Sequence, residues 1–231
     1  LSNIPMYYEY QQENITDTEA TKFTFNKEFK NIFDLYLENS TVNKELTPTK
    51  TVTDSMAEFA EGKAAMVQNG NWAWSQIKDA AGNTVKEDKI KFLPIYTGHD
   101  GEEKQGLAVG TEAFMAIKAK ASEADQKATI DFVNWLLTSE TGKKFAVEDL
   151  GFNAPFTSFA ENEVPNDPLA KQIASYMTNE DLSVVPWVFT TYPSQKFKDD
   201  FGQALAQYAT GNLTRDDVVS TFTTGWKAEK K

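Results

Sequence analysis

The stretch Glu58–Ile77, EFAEGKAAMVQNGNWAWSQI, constrains the fold most. A short helix of about 54–61, with Ser55 and Glu58 at capping-box spacing, stops at Gly62. The apolar run Ala64–Val67 predicts a buried strand over 64–69 that breaks at Gln68-Asn69-Gly70-Asn71. Trp72 and Trp74 then open a helix of about 72–80. A strand, a Gly/Asn turn and a helix in succession deliver side chains to the C-terminal edge of a sheet, where open α/β sheets hold ligands. An aromatic placed there offers a flat apolar face for stacking. Both tryptophans also suit the core at the start of a helix.

The flanking sequence adds more helices than strands. Phe25, Phe29, Ile32, Phe33, Tyr36 and Leu37 share one face of a helix over about 26–40, with Asn26 as its cap. Ser122 caps a helix over about 122–138, with Thr129, Phe132, Val133, Leu136 and Leu137 on one face, and Ser139 starts another that ends at Gly151. Asp167-Pro168, Ser194 and Thr214 open three further helices. Strands are predicted at Ile90–Ile95 and Glu112–Lys118, Leu107–Gly110 is short and rich in small residues, and Ser183–Pro193 is expected to be extended. Residues 1–24 are aromatic at first, with no clear period, and then polar. Alternating strands and helices make the class α/β. Three or four strands among about eight helices fall short of the roughly five or more a doubly wound sheet needs, so the sheet looks incomplete.

The formal charge is −11, from 34 acidic and 23 basic residues, which argues against nucleic acid or an anionic lipid surface as partner. No cysteine is present, so disulfides, thiolate metal sites and cysteine nucleophiles are excluded. Leu1-Ser2-Asn3-Ile4-Pro5 lacks the basic and apolar regions of a signal peptide.

Catalytic and metal motifs do not emerge. His99, the only histidine, sits in the turn Thr97-Gly98-His99-Asp100-Gly101 and is expected to be a solvated loop residue. No GxSxG elbow accompanies it. Asp100, Glu102 and Glu103 lack the spacing of a calcium loop. Gly106–Gly110 has too few glycines for a phosphate loop, and no cofactor is implied. What stands out is aromatic: Tyr7, Tyr8, Trp72, Trp74, Trp187 and Phe189 lie in turn-like or extended segments, outside the clean helical faces. With Asn71, Gln105, Asn153 and Thr190 they suggest a pocket of apolar walls and neutral hydrogen-bonders. Such a pocket suits polyhydroxyl ligands, which pair C–H faces with many hydroxyls.

FAEGKAAMVQNGNWAWSQI resembles a signature of bacterial extracellular solute-binding proteins of the sugar-binding family, the family of maltodextrin-binding protein. IKFLPIYTG, GLAVGTEAFMAIKAKASEADQKATIDFVNWLLTSETGKKFAVEDLGFNAPFTSF and PWVFTTYPSQKFKDDFGQALAQYATGNLTRDDVVSTFTTGW continue the resemblance in family order. The resemblance implies a periplasmic-binding-protein-like (type II) fold of two α/β lobes, present here mainly as the C-terminal lobe. Residues 1–105 and 151–231 would be C-terminal lobe, and 106–150 a crossover segment completing the N-terminal lobe, the rest of which this chain lacks. It further implies a non-enzymatic, extracellular lipoprotein or periplasmic protein that passes a sugar or oligosaccharide to the membrane subunits of an ABC importer. Carried over by position, Trp72 is the stacking aromatic, Asn71 lies beside it, Trp187 supplies another wall, and Tyr7 or Tyr8 a further one, while Trp74 packs inward. A non-sugar solute, or a glycoside-active enzyme with a carboxylate pair, are the alternatives.

Overall fold

The computed structural model describes all residues except Glu112, Ala113, Pro155, Glu161 and Lys231. The start of the expected strand Glu112–Lys118 and the loop residue Pro155 therefore lie outside the described residues. The element order is α1 (Asn3–Glu13), α2 (Asn26–Glu38), α3 (Val52–Ala60), α4 (Ala73–Lys78), β1 (Gln105–Val109), α5 (Glu123–Thr138), α6 (Glu140–Lys144), α7 (Pro168–Met177), β2 (Ser183–Pro186), α8 (Gln195–Ala209) and α9 (Arg215–Glu229).

Helix starts follow local chemistry. The Ser122, Asp167, Ser194 and Thr214 side chains each accept a backbone N–H of the first turn. Two starts differ from expectation. The capping box of α3 is Thr51 with Asp54, one turn earlier than Ser55 with Glu58, because Thr51 is the residue with extended backbone. Phe25 rather than Asn26 precedes the first turn of α2, and Asn26 instead donates from Nδ2 to the Phe23 carbonyl at 3.0 Å. The aperiodic opening is itself a helix, α1. Its Ile4, Met6, Tyr8 and Tyr10 are buried on several sides at once, so no single apolar stripe marks it.

The core lies where α1, α2, α8 and α9 meet. Met6, Tyr10, Phe23, Phe29, Tyr192, Phe197, Phe201, Val218, Phe222 and Trp226 form one buried cluster. The Phe23 and Phe222 rings stack 4.1 Å apart, and Phe201 meets Phe222 edge-on at 4.7 Å. Phe23 reaches this place with φ of +50°, a costly backbone for a non-glycine residue. Buried Glu9 holds that loop by accepting from Thr21 Oγ1 at 2.7 Å, Lys22 N at 3.1 Å and Thr24 N at 2.7 Å. A second cluster joins α3, α4 and α7 through Met56, Ala60, Ala73, Trp74, Ile77, Ile90 and Leu169.

The expected sheet is much smaller in fact. Among the described residues the only ladder is the parallel pair β1–β2, in register Gln105↔Ser183 and Val109↔Pro186. The α/β expectation thus holds in its coarser form, a helix-rich mixed chain with a small parallel two-stranded sheet, while the strands expected at 64–69 and 90–95 do not form. The predicted strand over 64–69 forms no ladder, and Met66 within it is 73% exposed. An apolar run becomes a strand only when neighbours take its N–H and C=O groups, and among the described residues no strand pairs with this one. Residues 114–118 likewise lie outside any strand, with Phe114, Met115 and Ile117 exposed. The stretch Ile90–Ile95 has no strand partner, but α7 stands in for one. Gln172 Nε2 donates to the Ile90 carbonyl at 3.0 Å, Phe92 N–H donates to Gln172 Oε1 at 2.7 Å, and Tyr176 Oη donates to the Phe92 carbonyl at 3.3 Å.

Candidate functional site

Trp72 immediately precedes α4, and its ring lies across Gly70. A Cβ at residue 70 would run into the six-membered part of that ring, so the glycine is what lets the indole fold back over the loop. Trp72 is 52% exposed whereas Trp74, two residues on, is 5% exposed and packs with Met56 and Ile77. Helical periodicity causes the split: positions two apart point to different sides. Asn71 is half-buried beside the exposed ring. Trp72 therefore presents a flat apolar face to solvent from a loop with no charged residue between Lys63 and Lys78.

A second group lies at the start of β1. Tyr7, Tyr8, Gln11, His99, Glu102, Gln105 and Ser183 line a cavity of about 230 Å³. Glu102 is its electrostatic centre. The buried carboxylate accepts from Thr97 N at 2.8 Å, Thr97 Oγ1 at 2.6 Å, Gly98 N at 2.8 Å and Tyr8 Oη at 2.7 Å. Burial alone would raise its pKa, but these donors outweigh burial and hold it below the ordinary glutamate range. The same burial, reinforced by the Glu102 charge, pushes the Tyr8 phenol well above its ordinary range. Tyr8 Oη shares its proton between Glu102 and Gln105 Oε1, at 2.6 Å from the latter, and Gln105 Nε2 donates to the Ile95 carbonyl at 2.8 Å.

These bonds decide what each side chain is free to do. Tyr8 and Gln105 are buried and committed to each other and to the 95–102 loop. Tyr7 is half-exposed, with its ring 5.9 Å from Tyr8. His99 is not the solvated loop residue expected. Its ring stacks on Tyr8 at 4.4 Å, meets Phe25 edge-on at 5.2 Å, and approaches Glu28 at 4.0 Å. Sequence reasoning missed Glu102 and His99 as structural partners of Tyr8 because Tyr8 and Glu102 are 94 positions apart.

Trp187 lies at the other end of the strands, just after β2, with its ring 5.5 Å from Phe189. Gly110, just after β1, comes so close that a Cβ there would meet the Trp187 side chain. The carboxyl ends of both strands thus converge on Trp187, the edge favoured for ligands in parallel sheets. Neither Trp72 nor Trp187 lines the Tyr7–Gln105 cavity. Thr190 is exposed, and the half-buried Asn153 has a side-chain amide nitrogen without a partner among the described residues. Among the described residues no group of acids or histidines is arranged to hold a metal ion.

Residues 7–182 match the family described as bacterial extracellular solute-binding protein. The chain belongs to that family. Over 106 residues it is also similar to photosystem I reaction center subunit N, chloroplastic, of Zea mays, at 31% identity, covering 46% of this chain and 87% of that protein. No solved structure matches. The family is extracellular by description, and among the described residues no helix is long and apolar enough to cross a membrane.

Proposed function

We propose that this chain is the carbohydrate-capturing component of an ABC-type importer, taking a sugar or oligosaccharide between two lobes and delivering it to the membrane permease. The reading rests on membership of the solute-binding family together with one observation: Trp72, half-exposed and held flat over Gly70, at the end of an uncharged loop. An aromatic face with amides nearby suits the C–H faces and hydroxyls of a sugar, and a charged solute would want an opposite charge there. In this reading Trp72, Asn71 and Trp187 contact the ligand. Tyr7 adds a wall, and Tyr8 and Gln105 hold that wall in place.

The same reading assigns residues 1–105 and 151–231 to one lobe of a type II binding-protein fold and 106–150 to the other. A second lobe from the same gene product supplies the facing half of the cleft, and a lipid anchor keeps the protein at the outer membrane surface. Ligand bound between lobes selects the closed form, because only that form makes both sets of contacts. The likeness to the photosystem subunit spans less than half of the chain and carries no part of the proposal. A glycoside-active site would need two carboxylates about 5–10 Å apart across the sugar. Among the described residues the buried carboxylates are Glu9, engaged by Thr21, Lys22 and Thr24, and Glu102, engaged by Thr97, Gly98 and Tyr8.

The test is a titration of the two-lobed protein with mono- and oligosaccharides, followed by tryptophan emission. A saturable change is expected, weakened by Trp72→Ala with an unfolding free energy within about 0.5 kcal/mol of the parent. Trp74→Ala, by contrast, costs about 3–5 kcal/mol of stability because it empties a buried site. Silence with every sugar, and a response to a peptide or polyamine, overturns the substrate claim.

A further inference from the structure

We propose that Asn69-Gly70 is a self-modification site, where loss of the Asn69 side-chain amide re-spaces the loop beneath Trp72. It is the only Asn-Gly pair in the sequence. Gly70 carries no Cβ to hinder attack by its nitrogen. Its N–H donates to Asn69 Oδ1 at 2.8 Å, so the nucleophilic nitrogen already sits beside the side-chain carbonyl carbon. That N–H serves no helix or strand, since 63–72 lies outside both. The leaving nitrogen, Asn69 Nδ2, donates only to the weak acceptor Met56 Sδ, at 3.3 Å. Asn69 and Gly70 are half-buried between the exposed Gln68 and the exposed Trp72, so water reaches them.

The chemistry needs no oxidant or cofactor. Gly70 N, on losing its proton to base, attacks Asn69 Cγ. The N–Cγ bond forms, the Cγ–Nδ2 bond breaks, and Nδ2 leaves as ammonia after taking up a proton, giving a five-membered succinimide. Water then opens either imide carbonyl. Opening at Cγ gives aspartate. Opening at the former backbone carbonyl gives isoaspartate, whose main chain runs through Cβ and is one methylene longer. Either product puts a carboxylate where a neutral amide stood.

The structure makes this loop sensitive to the change. The Trp72 ring lies across Gly70, and Ala73 N–H, which opens α4, donates to the Gly70 carbonyl at 3.0 Å. Lengthening the chain one residue earlier shifts both supports and lifts the indole from its seat. The chemical step stands by itself. Its consequence, a several-fold loss of sugar affinity with age, rests on the sugar-binding reading.

The experiment is incubation of the full chain at mildly alkaline pH, followed by peptide mapping and by isoaspartate methylation with a protein-isoaspartyl methyltransferase. An amide-to-acid mass gain with isoaspartate at Asn69 is expected before any change at Asn83 or Asn212, together with a shift in tryptophan emission. Asn69→Gln, which would have to close a six-membered ring, abolishes both over the same period, with circular dichroism verifying its fold. A chain unfolded in denaturant gives the reference rate. Modification there but not in the native chain overturns the inference, as does a modified chain with unchanged tryptophan emission. A chain that gains mass and shifts its emission supports the modification whatever its sugar response; the sugar reading is overturned separately, by silence of the unmodified two-lobed protein with every sugar.

Discussion

Glu102 shows how much a single side chain can decide. It ties α1 to the turn at 97–98 through Tyr8, Thr97 and Gly98, and His99 follows by stacking on Tyr8. Its folded pKa lies below that of a free glutamate. The stabilisation is therefore full above the unfolded value of about 4.3 and is lost as pH falls from there through the folded value. Glu102→Gln should cost about 1–3 kcal/mol at neutral pH and flatten the acid limb of stability. Urea unfolding measured across that range checks both; an acid limb as steep as the parent's would assign the loss to other carboxylates. The residues also differ in how legible they were. By spacing Trp72 and Trp74 both suit the core, and only the family resemblance sets Trp74 inward; the fold leaves one exposed and one buried. The pairing of Tyr8 with Gln105 is not legible at all, because the bond joining them closes only in three dimensions.

Among the elements, the stretch Ile90–Ile95 carries strand-forming residues without forming a strand. Its alternation is real, with Ile90 buried, Phe92 half-buried, and Lys91 and Leu93 exposed. What it lacks is a strand neighbour, and Gln172 of α7 supplies paired donor and acceptor in its place. Gln172→Ala leaves Phe92 N–H and the Ile90 carbonyl without those partners, and is expected to cost about 1–3 kcal/mol and to speed hydrogen exchange at the Phe92 amide. Exchange at that amide unchanged from the parent would refute the role. Gly142 makes the same point about close approach. A Cβ there would run into the Trp135 carbonyl, so the α5–α6 turn depends on a residue without one.

Across the molecule, covered and uncovered apolar surface divide unevenly. The α1–α2–α8–α9 core buries its largest rings, but α5 has Leu136 buried while Phe132 is 56% exposed and Trp135 42% exposed. Phe132 and Trp135 lie 5.8 Å apart, and Phe114, Met115, Phe145 and Phe156 are exposed as well. Helix α5 thus shows the amphipathic face its sequence predicts without burying most of it. Uncovered apolar residues of this size bind hydrophobic dyes. The double substitution Phe132→Ser, Trp135→Ser should lower dye emission while leaving the far-ultraviolet dichroism of the rest intact. Undiminished emission would move the dye-binding surface elsewhere.

The sequence by itself determined what short-range chemistry controls. Ser122, Asp167, Ser194 and Thr214 fix helix starts because a cap needs only a side-chain oxygen within the first turn. The exposed indole of Trp72, lying across Gly70, was settled only in the folded chain. Tertiary structure alone decided which apolar runs became strands. A strand is completed by hydrogen bonds from a neighbour, so Gln105–Val109 found Ser183–Pro186 while Ala64–Asn69 found no strand. It likewise decided that Tyr8, His99, Glu102 and Gln105 form one cluster, because these groups come from segments brought together only when the chain has folded.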